Sequence, residues 1–161
     1  MQVSKDQADI QDDGWRGEYW GKMMRGACMT YSYTQNEKLY SVLQSAVENL
    51  LAAQDEYGRF SAYDVEHEFR GWDIWGRKYV LVGFEYFSGI CRDETLKTKI
   101  LTAMCRHADY IVQKIGAGEG QTAITKTSEW WGGVNSCSIL EPIGELYTLT
   151  DEQSDLSFAE Y

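Results

Sequence analysis

The stretch WDIWGRKYVLVGFEYF, residues 72–87, decides the fold, because it joins a repeated dipeptide to a helix-forming segment with almost no polar face. The segment 79–87 is apolar nearly all round, which predicts a helix covered by neighbours on several sides. Self-similarity at a fixed period is typical of repeated structural units. The dipeptide recurs at intervals of 55 and 56 residues: Trp20-Gly21, Trp75-Gly76 and Trp131-Gly132.

An apolar helical stretch and then a short polar turn follow each dipeptide. Between Trp20 and Tyr31, apolar residues recur at the spacing of an amphipathic helix, and residues 96–115 carry a one-faced pattern of the same kind. The sequence therefore predicts helical hairpins whose first helix is the more buried one. Polar residues spaced by 57 and 58 positions are predicted to be N-caps, or neighbours of N-caps, of the second helices: Asn36, Asp93 and Asp151.

The hairpins are expected at about residues 15–60, 70–117 and 128–161, after a polar segment over residues 1–14. The second helix of the last unit would begin near Glu152 or Asp155, yet the sequence ends at Tyr161. Helical arrays need a polar capping unit at each end, so we expect an all-α array that is truncated in its third unit.

The charge and hydrophobicity of the sequence exclude some classes of binding partner. A net charge of -10 without a cluster of basic residues argues against nucleic acid. The sequence has no run of 18 apolar residues and starts with a polar segment unlike a signal peptide, which predicts a cytoplasmic protein that does not enter membranes. The cysteines lack CxxC spacing and are predicted to be reduced thiols, with no metal site: Cys28, Cys91, Cys105 and Cys137.

Polar side chains beside the Trp-Gly dipeptides are candidates for a sugar-binding site. If the first helices form an inner ring, their N-terminal ends converge on one mouth, where aromatic rings stack on a sugar and polar groups bind its hydroxyl groups. The predicted ligand-binding residues are Glu18, Trp20, Lys22, Trp72, Asp73, Trp75, Arg77, Trp130, Asn135 and Ser136. The alternative interpretation is that each Trp packs the hairpin entrance, each Gly permits a close approach, and the charges are solvated or paired.

No residue of the chain is predicted to be catalytic. His67 lies in a charged loop and is the better candidate for a site histidine, whereas His107 falls on a helix as a packed or surface residue. The sequence contains no HExxH, GxSxG or P-loop motif.

Several segments resemble glycoside hydrolase family 127, the β-L-arabinofuranosidase-type enzymes. WRGEYWGK (15–22), WDIWGRKY (72–79) and SILEPIGELYTLT (138–150) resemble its helical-domain segments, and QDEYGRFSAY (54–63) resembles the loop after its second helix. The resemblance implies that the hairpins form half of an (α/α)6 toroid acting on a carbohydrate such as a plant-derived arabinoside.

The resemblance also implies a cysteine nucleophile, held by a zinc site of cysteines and glutamate, and a glutamate acid/base. In the family pattern these residues lie beyond Tyr161. We therefore expect no cofactor in this chain, zinc in the missing part, and an inactive fragment that associates through the exposed edges of the half toroid, for example as a homo-oligomer.

Two alternatives stay open. A sugar epimerase or unsaturated-uronyl hydrolase shares the toroid, but needs histidine or aspartate catalysts at helix ends. A non-enzymatic helical-repeat interaction module would use the Trp-Gly pairs for packing alone. Rings open to solvent around one mouth favour sugar binding, whereas rings buried between hairpins favour the module.

Overall fold

A computed structural model describes residues 14–129 and 131–161; the polar segment 1–13 and Trp130 lie outside the described residues. Over the described ranges the chain is helical, and its β contact is an isolated bridge between Ile115 and Thr122. Single turns of 3-10 helix lie at Val65–His67, Ile124–Lys126 and Trp131–Gly133. The α-helices are α1 Arg16–Thr34, α2 Glu37–Ala52, α3 Asp73–Ser88, α4 Glu94–Lys114, α5 Val134–Cys137, α6 Leu140–Thr150 and α7 Gln153–Glu160.

The predicted caps begin the two long outer helices. Asn36 Oδ1 accepts from the Leu39 N–H at 3.1 Å, and Asp93 Oδ1 accepts from the Thr95 N–H at 2.8 Å. Both predictions are confirmed, since each side chain satisfies an N–H group that has no partner within its helix. Asp151 differs, because it ends α6 in the left-handed conformation and is only the neighbour of the α7 N-cap, Glu152.

The first helices of the hairpins pack against one another in the interior. Helix α3 lies mainly on α1 and is buried on most sides, as its continuous apolar character predicts. Contacts of Gly17 with Gly76 and of Gly21 with Tyr79 show that α1 and α3 run in the same direction. Because they run in the same direction, the residues that begin α1 and α3 lie side by side at one end of the pair. The outer helices α2 and α4 cover this pair.

Glycine sets the distance between α1 and α3. A Cβ atom on Gly17 would lie 2.7 Å from the Gly76 carbonyl oxygen, and one on Gly21 would overlap the Tyr79 carbonyl group. The Trp20 ring is buried, with its centroid 5.2 Å from that of Phe84. The first Trp-Gly dipeptide therefore packs two helices together, the role given by the packing interpretation, and Trp20 does not face a mouth.

The third unit departs from the first two. Trp131, Gly132 and Gly133 are all left-handed, with φ of 50°, 58° and 79°. This turn leads into the short α5, and α6 follows with Pro142 in its first turn, where proline is tolerated. The third Trp-Gly dipeptide thus forms a turn instead of a helix–helix contact.

Candidate functional site

Tryptophan rings meet where the first helices begin. Trp15 precedes α1, Trp72 precedes α3 and Trp131 lies in the turn before α5. The Trp72 centroid is 5.5 Å from that of Trp15, 5.6 Å from that of Trp131 and 6.0 Å from that of Trp75. We call these four residues the tryptophan surface. The N-terminal ends of the first helices therefore converge, with Trp72 at the centre.

The tryptophan surface is open to solvent. Trp131 is 68% exposed and Trp15 is 38% exposed, while Trp72 and Trp75 are half-buried. Single exposed apolar residues are common, but contiguous exposed aromatic groups mark binding surfaces. Tryptophan offers a flat apolar face for a ligand together with one N–H donor.

Trp131 holds its place at a conformational cost. Its φ of 50° lies in the left-handed region, which costs a residue with a Cβ atom about 1–2 kcal/mol. The turn also depends on Gly133, where a Cβ atom would lie 2.6 Å from Thr125 Cα. Burial does not explain this arrangement, because the ring is exposed. Strain kept at an exposed residue is characteristic of a functional site.

Ion pairs border the tryptophan surface. Lys22 Nζ lies 2.5 Å from Glu18 Oε1, and Lys78 Nζ lies 2.7 Å from Glu141 Oε2. Both ammonium groups lie over the Tyr79 ring, at 5.0 and 5.2 Å from its centroid. The hydrogen bond with Glu18 raises the pKa of Lys22, so this lysine is charged at neutral pH. Glu18 and Lys78 are buried, so the exposed Lys22 and Glu141 are the donor and the acceptor that these pairs offer to hydroxyl groups.

Asp73 and Arg77, both predicted to bind ligand, lie in the interior. The fully buried Arg77 donates to both Asp73 carboxylate oxygens at 2.9 Å and to Glu68 Oε2 at 2.8 Å. Arg59 and the Tyr110 hydroxyl also donate to Glu68, at 2.9 and 2.6 Å. We call these five residues the buried ion network. Their contacts fasten the segment before α3 onto α3 and α4, so Asp73 and Arg77 are placed to hold structure and not to face a mouth.

Burial governs the charges in this network. It disfavours the Arg77 cation, but Asp73 and Glu68 outweigh that effect and raise the pKa of Arg77. Burial and the hydrogen bond to Glu68 raise the pKa of Tyr110 to about 12. The two arginines of the network therefore keep their charges at neutral pH, with Tyr110 as a neutral donor.

Asn135 and Ser136 are also buried. Asn135 Nδ2 donates to the Gly71 carbonyl oxygen at 3.3 Å, and Glu129 Oε2 accepts from the Gly71 N–H at 2.7 Å. Asn135 thus binds the main chain before Trp72. Trp130 lies outside the described residues, and its predicted contact with ligand stays a prediction, as do those of Glu18, Lys22, Trp72 and Trp75.

Sequence reasoning missed Trp15 as a member of the site. A signal for it was present, because Trp15, Trp72 and Trp130 are spaced by 57 and 58 residues. These are the spacings of the capping positions, and Trp15 and Trp72 occupy equivalent places immediately before α1 and α3. The Trp-Gly dipeptides, at 55 and 56 residues, are out of this phase.

Both histidines contact neighbouring groups of the protein, and Cys28 is buried. His107 is buried, and its Nδ1 accepts from the Phe60 N–H at 3.1 Å. Burial, followed by the charge of Arg77, lowers the pKa of His107, which keeps it neutral. His67 lies in a turn with its Nδ1 2.6 Å from Asp64 Oδ1. Burial raises the pKa of the Cys28 thiol to about 11, which disfavours the thiolate needed for attack or metal binding.

The residues described here do not fit the zinc–thiolate centre that the resemblance implies. Within 14–129 and 131–161, no group of three or more His, Cys, Asp or Glu side chains is arranged to hold a metal ion. The location of zinc elsewhere stays a prediction. Among the same residues, no helix has the length and apolar character needed to cross a membrane.

Side-by-side helical hairpins with aromatic rings at the starts of the inner helices define an all-α protein of the helical-hairpin class. The sequence profile of the β-L-arabinofuranosidase, GH127 catalytic domain, matches residues 2–161. The chain therefore belongs to the GH127 family.

Structural comparison agrees on the fold. A solved GH127 β-arabinofuranosidase matches with a TM-score of 0.71 and 15% sequence identity, over 98% of this chain. This chain spans 25% of the length of that solved chain. The predicted fold, an all-α fragment of the toroid, is confirmed. Comparison with curated proteins gave no match.

Proposed function

We propose that this chain forms part of the sugar-binding mouth of a glycoside hydrolase that acts on β-L-arabinofuranosides. The tryptophan surface is the observation that carries the proposal. It unites the starts of α1 and α3 with the turn before α5, keeps Trp131 exposed despite backbone strain, and has ion pairs along its border. Family membership supports the substrate class.

The rings and the ion pairs have different tasks in this proposal. The C–H face of a sugar stacks on Trp131 and Trp72, while the exposed Lys22 donates to its hydroxyl groups and the exposed Glu141 accepts from them. Each such bond replaces one with water and contributes about 1 kcal/mol net. A partial mouth therefore binds weakly, with a Kd on the order of 1 mM, equivalent to about 4 kcal/mol.

We also propose that the chain alone does not hydrolyse its ligand. Stacking and hydroxyl binding stabilise the bound substrate and its transition state alike, and hence do not accelerate the reaction. The buried Cys28 thiol, with its raised pKa, is a poor nucleophile at neutral pH. The nucleophile and the acid/base then belong to another part of the enzyme.

A fluorescence titration tests the binding proposal. Arabinose-containing oligosaccharides should change the tryptophan emission saturably, and Trp131→Ala should weaken binding about fivefold or more, since aromatic contacts are worth about 0.5–1.5 kcal/mol beyond the buried area. Tyr33→Ala is the matched control, because Tyr33 is 91% exposed and lies at the far end of α1. Equal affinities for wild type and Trp131→Ala would contradict the proposal.

A turnover assay tests the catalytic half of the proposal. Release of chromophore from an aryl β-L-arabinofuranoside should be undetectable with or without zinc. Zinc-dependent release that disappears in Cys28→Ser or Cys137→Ser would show that the catalytic thiol lies in this chain.

Self-association is the remaining part of the proposal. An apolar groove of about 980 Å³ lies between α1 and α2, and its rim exposes Met23 and Val42. Exposed apolar grooves favour association, so we propose that a second copy covers it in the isolated chain. Sedimentation should show concentration-dependent dimers that Met23→Lys abolishes; a monomer at all concentrations would refute the association.

A further inference from the structure

The peptide groups on either side of Gly71 are held by the segment that leads into the third hairpin. The Gly71 N–H donates to Glu129 Oε2 at 2.7 Å, and the Gly71 carbonyl oxygen accepts from Asn135 Nδ2 at 3.3 Å. Gly71 is buried and has a left-handed φ of 56°. Both of its hydrogen-bonding groups are thus tied to residues about 60 positions later in the chain.

The next residue, Trp72, is the centre of the tryptophan surface. Its N–H donates to the Tyr63 hydroxyl at 3.1 Å, and its ring contacts those of Trp15, Trp75 and Trp131. The direction of the Trp72 side chain depends on the main chain that precedes it. A rotation of the Gly71 peptide would therefore move the ring that connects the others.

Glu129 has the chemistry to prevent such a rotation. A carboxylate that accepts from a main-chain N–H forms a charge-assisted hydrogen bond, about twice as strong as a neutral one. Glu129 itself is exposed and, among the described contacts, touches the site through the Gly71 main chain and not through a ring. Its removal leaves the buried core intact and frees the Gly71 N–H.

We infer that Glu129 is a positioning residue for the tryptophan surface: through the Gly71 peptide it fixes the Trp72 ring against Trp15 and Trp131. Asn135 is the second half of the same clamp. This inference rests on the proposed sugar-binding function for its consequence, but the position of Trp72 can be measured without a ligand. Glu129 is thus a determinant of affinity that does not itself touch the sugar.

Three variants of the chain test the inference. Glu129→Ala removes the acceptor, Glu129→Gln keeps an oxygen at the same place, and Glu119→Ala removes one exposed carboxylate from the loop that follows α4. The readouts are the near-ultraviolet circular dichroism of the tryptophans and the affinity for arabinose-containing oligosaccharides. Close ring pairs give the tryptophan bands their intensity, so they report the Trp72 position.

We expect Glu129→Ala to change the tryptophan bands and to weaken saccharide binding about five- to tenfold. Glu129→Gln should stay within about twofold of wild type, because its amide oxygen accepts the same N–H. Glu119→Ala should match wild type in both readouts. Unchanged tryptophan bands in Glu129→Ala, or a Glu129→Gln variant as impaired as Glu129→Ala, would overturn the inference.

A destabilising control separates positioning from a general loss of structure. Val47→Ala removes methyl groups from a fully buried position on α2, away from the tryptophan surface, and lowers stability. At a temperature where both variants are folded, Val47→Ala should keep the tryptophan bands and the affinity. If it loses them as Glu129→Ala does, Glu129 has only a structural role. If wild type binds no saccharide, the proposed function fails while the spectra still decide on Glu129.

Discussion

Replacing Arg77 with methionine tests how far the buried ion network stabilises the fold. Methionine occupies much of the same space but removes the cation from between Asp73 and Glu68. The Asp73 side chain is almost completely buried, so its carboxylate would lose its paired cation out of reach of water. Breaking a buried pair in this way costs about 3–5 kcal/mol. Domains are stable by about 5–15 kcal/mol, so this is a large fraction of the total.

Urea unfolding, followed by tryptophan fluorescence and by far-ultraviolet circular dichroism, measures the loss. With a dependence on urea of about 2 kcal/mol per molar, the midpoint should fall by about 2 M. Arg77→Lys should lie between wild type and Arg77→Met, because lysine keeps the charge but lacks the planar fork that binds both Asp73 oxygens. This variant keeps the test usable if Arg77→Met does not fold.

Arg92→Met is the matched control. Arg92 also pairs with a carboxylate, that of Glu37, but the two side chains are 54% and 67% exposed. Surface ion pairs contribute little, so this variant should unfold close to wild type. Equal midpoints for Arg77→Met and Arg92→Met would refute the reasoning that burial makes the Arg77 pairing essential.

Three further predictions concern helix packing, backbone strain and the titration of a buried carboxyl group. Gly21→Ala drives a methyl group into the Tyr79 carbonyl and should cost about 1–3 kcal/mol in thermal unfolding, whereas Gly26→Ala, with open space at its Cβ position, should stabilise slightly. Trp131→Gly relieves left-handed strain as it removes a ring contact, so calorimetry should show a change below about 1 kcal/mol while saccharide affinity is lost. Burial raises the pKa of Asp155 to about 6, so its native carboxyl group holds a proton more tightly than the unfolded one and wild-type stability falls as pH rises from 3.8 through about 6. Asp155→Asn should lack this decline, and parallel melting curves of the two proteins against pH would contradict it.

Local physics explains why the sequence predicts the helices well. Asn36 and Asp93 act on N–H groups two or three residues away, so their roles follow from spacing alone. The apolar character of residues 79–87 likewise predicts the burial of α3, because a helix without a polar face must be covered. The third junction is different: Trp131 has a left-handed backbone and Thr125 lies close to Gly133, and no local sequence pattern reveals either feature.

The candidate site could be predicted only in part. The convergence of helix starts follows from the repeat, but the burial of Asp73 and Arg77 depends on Glu68, Arg59 and Tyr110, which are distant in sequence or lie in a charged loop. A charged residue beside a tryptophan gives the same sequence pattern whether its side chain faces a ligand or pairs with a buried partner. The cytoplasmic location, the association of edges and the zinc site elsewhere stay predictions.

Each inner helix carries the tryptophan surface at its start and the glycine contact between helices further along. Trp15 and Trp72 stand at the starts of α1 and α3, whereas Gly21 meets the Tyr79 carbonyl further along. Gly21 lies six positions after Trp15, which corresponds to about 9 Å of helix at 1.5 Å per residue. Substitutions at sites more than about 7–10 Å apart usually have additive effects. Substitutions of the tryptophan rings should therefore alter saccharide binding without loosening the contact between α1 and α3. The glycine contact in turn fixes the positions of the two helices whose ends carry the rings.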